Sequence, residues 1–270
     1  MRRHFPSFVA SLSLAFATAL WADAGAASPD PFGGARAASP PTKAATIAPG
    51  LRLRTHDHQG WFGPAVPGFV PKQLADMKLD LLDRQGTSWI AVYREATFDA
   101  CGLEKRNCKA EVRIFDESGG ELVTLPLNPF LSRRTKLEVQ DVRYDGTTVF
   151  FNEACQSYSR EADGKCSALV AVDPYQKKVV WRTTNLVSNN WFVLAGDYVV
   201  SAYGFTGEKA FIRVVRKKDG AIMDTKALPG TNFEMFLSGD DVAVDCWYDI
   251  GRVHYRLTGQ DGPAPKLTRR

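Results

Sequence analysis

Residues 168–182 read ALVAVDPYQKKVVWR. An apolar run ends in Asp173, a Pro-Tyr-Gln turn follows, and a second valine-rich run ends in Trp181 and Arg182. Short β-branched runs bounded by turn residues are the pattern of strands, and the turn between them predicts an antiparallel pair. Upstream, Leu137 to Tyr144, a turn at Asp145-Gly146 and Thr147 to Asn152 predict two more strands. Residues 137–182 therefore predict one unit of four antiparallel strands.

The same layout recurs. One copy precedes it: Lys78 to Leu82, a turn at Gln85-Gly86, Ser88 to Tyr93, Glu111 to Asp116 and Glu121 to Leu125. A third runs through Trp191 to Leu194, Tyr198 to Tyr203, Ala210 to Arg216 and Ala221 to Thr225. A fourth runs through Phe233 to Leu237, Asp241 to Tyr248, Arg252 to Leu257 and Pro263 to Leu267. Matching positions lie 57 residues apart from Asp116 to Asp173, 43 from Asp173 to Arg216 and 42 from Gly220 to Gly262. Four-stranded units at this spacing predict an all-β chain built as a β-propeller of about four blades. A two-sheet sandwich or an open stack of repeats would use the same strands.

The strand ending in Asp173, the turn and the strand ending in Trp181 resemble the repeat of PQQ-like propellers. The resemblance covers residues 77–268 in outline and residues 168–182 in detail, since the other copies lack the tryptophan. It implies fold and no cofactor: the quinone-binding members use larger rings than four copies supply.

The N-terminus reads as an address. Arg2 and Arg3 precede the apolar stretch Phe8 to Leu20, and small residues follow. This order predicts a secretory signal peptide over residues 1–24, cleaved after Ala24 or Ala26. Residues 25–47, rich in Ala, Pro, Gly and Ser, predict a flexible linker. Residues 48–76 predict an irregular wrapped segment, and 77–268 the propeller. The expected compartment is secreted or periplasmic, and no later segment is long and apolar enough to span a bilayer.

The five cysteines fit that compartment. Cys101 and Cys108 fall between the second and third strands of the first copy, and Cys155 and Cys166 occupy the same slot in the second. Antiparallel neighbours bring such residues within bridging distance, so two disulfides are expected, Cys101–Cys108 and Cys155–Cys166. Cys246 is left over and reads as a buried thiol; a nucleophilic role would need a base, and His254 is the candidate.

Of 270 residues, 44% are hydrophobic and 24% charged, with a net charge of +4. This excludes collagenous, wholly disordered and polytopic membrane chains. The charge is too small to argue for a nucleic-acid partner. His56-Asp57-His58 is a compact set of ligand-type residues without an identifiable third ligand, so no metal is expected. No nucleophile-elbow, phosphate-loop or dinucleotide motif occurs.

What remains is a face. In propellers the loops from strand two to strand three share one end with the connections between blades. Here these loops carry Arg106, Tyr158, Tyr203, Trp247, Tyr248 and Arg252, the aromatic and arginine mixture that interfaces enrich. The favoured expectation is a non-enzymatic binding protein that recognises a protein or envelope polymer through stapled loops. The alternative is a small extracellular hydrolase or lyase with its site in the central channel, where the inner strands offer Asp80, Glu138, Asp141 and Glu234.

Overall fold

Four antiparallel sheets of contiguous chain follow one another around a common channel in the computed structural model, which describes residues 53–54, 66–95, 101, 106–247 and 250–270. All of them belong to one unit, residues 41–270. The signal-peptide and linker expectations and the His56/His58 pair lie outside the described residues.

Blade 1 holds β3 (Met77–Gln85), β4 (Ser88–Glu95), β5 (Ala110–Phe115) and β6 (Glu121–Pro126). Two short strands, β1 (Leu53–Arg54) and β2 (Gln73–Leu74), pair with the inner edge of β3. Blade 2 is β7 (Leu137–Tyr144), β8 (Val149–Cys155), β9 (Ala168–Asp173) and β10 (Lys178–Arg182). Blade 3 is β11 (Val193–Ala195), β12 (Tyr198–Tyr203), β13 (Ala210–Arg216) and β14 (Ile222–Leu228). Blade 4 is β15 (Asn232–Ser238), β16 (Asp241–Cys246), β17 (Gly251–Thr258) and β18 (Lys266–Arg269). The chain is thus a four-bladed β-propeller. Tight turns between first and second strands mark its turn face; the longer second-to-third-strand loops mark its loop face.

Side chains alternate across each sheet, so neighbouring residues serve different interfaces. Phe151 joins Ile90, Val112 and Ile114 in the core between blades 1 and 2. Phe150, next to it, joins Trp181, Phe192 and Val199 between blades 2 and 3. This is why β9, between the two cores, is apolar at every position from Ala168 to Val172. Trp181 reaches furthest: its Nε1 donates to the Lys217 carbonyl at 2.6 Å. Its ring lies where a Cβ on Gly220, at φ +73°, would come within 2.7 Å. Between blades 3 and 4, Ile212 and Val214 meet Val242, Val244 and Tyr255.

The two ends of the array are finished differently. The outer face of blade 1 (Trp89, Tyr93, Phe115) packs on Phe69, Val70 and Leu74. The outer face of blade 4 is charged. Asp245 pairs with Arg252, Asp241 with His254 and Asp240 with Arg256. Among the described residues no apolar core joins blade 4 to blade 1. A polar outer face is how terminal repeats remain soluble.

Near the axis, polar spokes replace apolar packing. Arg94 donates to the Val139 carbonyl at 2.9 Å and pairs with Asp80 at 2.9 Å, tying blade 1 to blade 2. Arg143 of blade 2 pairs with Asp83 of blade 1 at 2.8 Å and donates to the Phe192 carbonyl at the entrance to blade 3. The Asn152 amide donates to the Asn190 carbonyl, and the Asn190 amide donates to the Asn232 carbonyl, carrying the chain of bonds to blade 4.

Candidate binding face

Both expected disulfides are present, Cys101–Cys108 and Cys155–Cys166, with Cα atoms 5.0 and 5.1 Å apart. Each closes the loop between the second and third strands of its blade, so the staples stiffen the loop face. Beside the second staple a short 3-10 turn, Ser159–Ala162, follows Tyr158 and turns it outward. Tyr158 keeps 39% of its surface exposed. Its ring stands 6.0 Å from Phe205, which stands 5.9 Å from Tyr203. Arg160 lies over the Tyr158 ring at 5.1 Å.

This row spans the loops of blades 2 and 3 and is pinned by one carboxylate. Glu208 accepts a hydrogen bond from the Tyr203 hydroxyl and another from Ser159 Oγ at 2.8 Å. Burial, reinforced by Glu208, raises the Tyr203 hydroxyl well above its ordinary pKa, so it stays a donor. Tyr203 is itself buried and positions Phe205 rather than reaching solvent.

A second aromatic pair stands on blade 4. Trp247 is 51% exposed, and its ring rests on Phe233 at 4.8 Å. Ile250 is also exposed. Tyr248 lies outside the described residues.

The two arginines are engaged by carboxylates. Arg106 makes a two-point pair with Glu95, with Nη1 to Oε2 at 2.6 Å, across the mouth of the first stapled loop. Arg252 grips Asp245 at 2.6 and 2.7 Å and lies over the Phe236 ring at 4.9 Å, on the outer face of blade 4. Loop position alone could not signal either pairing; Asp245 and Arg252 are cross-strand partners only in the β16/β17 register.

The hydrogen bond from Arg106 holds the Glu95 carboxyl below its usual range. A depressed folded pKa supplies stability above the unfolded value, about 4.3, that is lost as pH falls through the folded value. Arg106→Leu is therefore expected to lower the urea midpoint at neutral pH. The deficit should shrink as the pH is lowered below about 4.3 and Glu95 takes up its proton. A deficit that does not change with pH would refute the pairing as its cause.

Of the channel carboxylates, Asp80 pairs with Arg94, and Asp141 accepts the Phe192 N–H at 2.9 Å and lies 3.6 Å from Arg143. Glu138 accepts from the Gln140 amide at 2.7 Å. The Asp141 bond joins blade 2 to the entrance of blade 3, while the Asp80 and Glu138 bonds lie within blades 1 and 2. Cys246 is a free, buried thiol in the apolar layer of blade 4, and burial raises its pKa. His254 lies on the opposite face, its Nδ1 2.9 Å from Asp241 Oδ2, so it does not serve Cys246 as a base.

No family model matches the chain, and no curated protein matches it. Solved structures do. The chain is similar to the β-propeller domain of the Trilobed protease from Pyrococcus furiosus, described as having an open velcro topology. That likeness has 13% identity and a TM-score of 0.41, over 71% of this chain and 57% of the other. It is also similar to the WD40 propeller domain of Doa1, at 13% identity and a TM-score of 0.38, over 60% and 58%. A protein of unknown function from Bacteroides caccae gives 13% and 0.39, over 68% and 57%. The likeness is one of fold. The chain spans somewhat more than half the length of these three structures, and at this identity each keeps its own function.

Proposed function

We propose that this protein is a secreted or periplasmic binding protein whose loop face recognises a protein or an envelope polymer. The observation that carries the reading is the aromatic row on the loop face, whose outer member Tyr158 is exposed. Tyr158, backed by Phe205 and Tyr203 and flanked by Arg160, stands beside a disulfide staple. Rigid aromatics and arginine lose little entropy on binding and dominate interface energetics. Trp247 on Phe233 adds a second anchor on the same face. Two disulfides, the signal-peptide pattern of residues 1–24 and the lack, among the described residues, of a helix long and apolar enough to cross a membrane support the compartment.

The test is capture on immobilised oxidised protein from envelope and secreted extracts, with bound protein and glycan identified by mass spectrometry. The expected result is a specific species whose affinity falls about a hundredfold in the Tyr158→Ala/Trp247→Ala variant, since two aromatic anchors each contribute about 1–2 kcal/mol or more. Both side chains are exposed, so the variant should melt with the wild type. Unchanged affinity in that variant would remove the loop face from the assignment.

A further inference from the structure

The turn face carries a feature that the loop-face reading leaves unused. An open cavity of about 720 Å³ lies at the mouth of the channel, lined by all four blades. Its two walls differ in chemistry. Val193, Leu194, Met235, Phe236 and Leu237 of blades 3 and 4 form an apolar wall. Thr87 and Ser88 of blade 1, Asp145 of blade 2 and Lys217 of blade 3 form a polar rim. Lys217 also lines a second cavity of about 700 Å³, so it stands at the join of the two.

We propose that this mouth binds a carboxylate that terminates an apolar chain or side chain, with Lys217 holding the carboxylate and the Leu194–Leu237 wall holding the apolar part. Lys217 is mostly buried, yet its carboxylate partner in the structure, Asp145, stands 3.9 Å away. Asp145 Oδ1 is occupied by its own turn, accepting from the Thr147 and Thr148 backbone N–H groups and from Thr147 Oγ1. Two neighbouring arginines are held more closely. Arg143 is paired with Asp83 at 2.8 Å, and Arg216 with Asp219 at 2.6 Å. Burial lowers the Lys217 ammonium pKa against the opposing pull of Asp145 and Asp197, so an incoming carboxylate would add stabilisation to a charge that has lost part of its hydration.

The apolar wall favours an alkyl group over a sugar. Sugars need an open aromatic face. Phe236 already has Arg252 over its ring at 4.9 Å and Trp191 against it at 5.9 Å. Leucine, valine and methionine supply contact without direction, which suits a hydrocarbon.

The carboxylate could come from a free aliphatic acid or from the C-terminus of a peptide with an apolar last residue. Calorimetric titration of the full oxidised chain with octanoate, octan-1-ol and a short peptide ending in Val-Leu, as free acid and as amide, separates them. At least one acid probe is expected to bind about tenfold or more tighter than its uncharged counterpart. Lys217→Met should weaken that acid about tenfold while leaving octan-1-ol within about twofold, and Leu194→Asn should weaken both. Melting curves check that each variant folds. If only the peptide acid binds, the source is a peptide terminus; if only octanoate binds, it is a free acid. Equal binding of acid and uncharged probes, no binding of either acid up to about 10 mM, or full acid affinity in Lys217→Met would overturn the site. The site lies at the opposite end of the channel from the loop face and does not depend on it.

Discussion

Trp181→Ala is expected to lower the unfolding free energy by about 3–5 kcal/mol, the usual cost of removing a large buried aromatic. The ring is 8% exposed and bridges two blades. It packs on Phe150 within blade 2, with centroids 5.9 Å apart, and fills the space above Gly220 in blade 3. Truncation opens a void between blades that cannot collapse, because rigid sheets hold both walls. It also leaves the Lys217 carbonyl without its donor. Urea unfolding with tryptophan-independent detection measures the loss. Gly220→Ala supplies an independent check, since its new methyl would strike the Trp181 ring and its φ of +73° disfavours any side chain. A loss below about 1 kcal/mol in Trp181→Ala would mean that the two blades are held chiefly by other contacts.

The second large effect belongs to Arg143→Leu. Its side chain is 9% exposed, and the guanidinium touches three blades through Asp83, Asp141 and the Phe192 carbonyl. Removing one partner from a buried ionic cluster costs about 3–5 kcal/mol, because the remaining charges keep their desolvation penalty and lose their compensation. Arg143→Lys should recover little, since a single ammonium cannot repeat the planar fork that reaches Asp83 and the carbonyl together. Adding Asp83→Asn to Arg143→Leu should recover part of the loss by deleting one of the stranded charges. A double variant as unstable as the single one would show that the arginine acts through packing instead.

The repeat was legible in the sequence because a strand leaves a local trace. ALVAV at 168–172 is apolar at every position, and β9 is buried on both faces. Residues 252–257 alternate Arg-Val-His-Tyr-Arg-Leu, and β17 is buried on one face alone. The different burial of these two strands is therefore written in their periods. The cysteine pairs were legible for a related reason: cysteines 7 and 11 positions apart between antiparallel neighbours can pair in few ways.

The loop face was legible only in outline. Tyr158 and Trp247 stand on it as exposed rings. Tyr203 and the two arginines were chosen by loop position, yet Tyr203 is buried and each arginine is claimed by a carboxylate. Phe233, which supports Trp247, read simply as the start of an inner strand. The cavity on the turn face left no trace at all, since its walls come from residues 85–88, 143–146, 191, 193–194, 217 and 235–237.

The sequence by itself determined what depends on neighbours along the chain: strand period, turn positions, the fourfold layout and the two staples. Tertiary structure decided what depends on residues 36 to 60 positions apart, such as Trp181 with Lys217 and Arg143 with Asp83. It also decided which end of the array is covered by Phe69 and Val70 and which carries the charged outer face of blade 4. The reason is geometric. A strand's own sequence fixes which side chains face each way, but the contacts between blades depend on how one sheet is set against the next, and no local pattern encodes that placement.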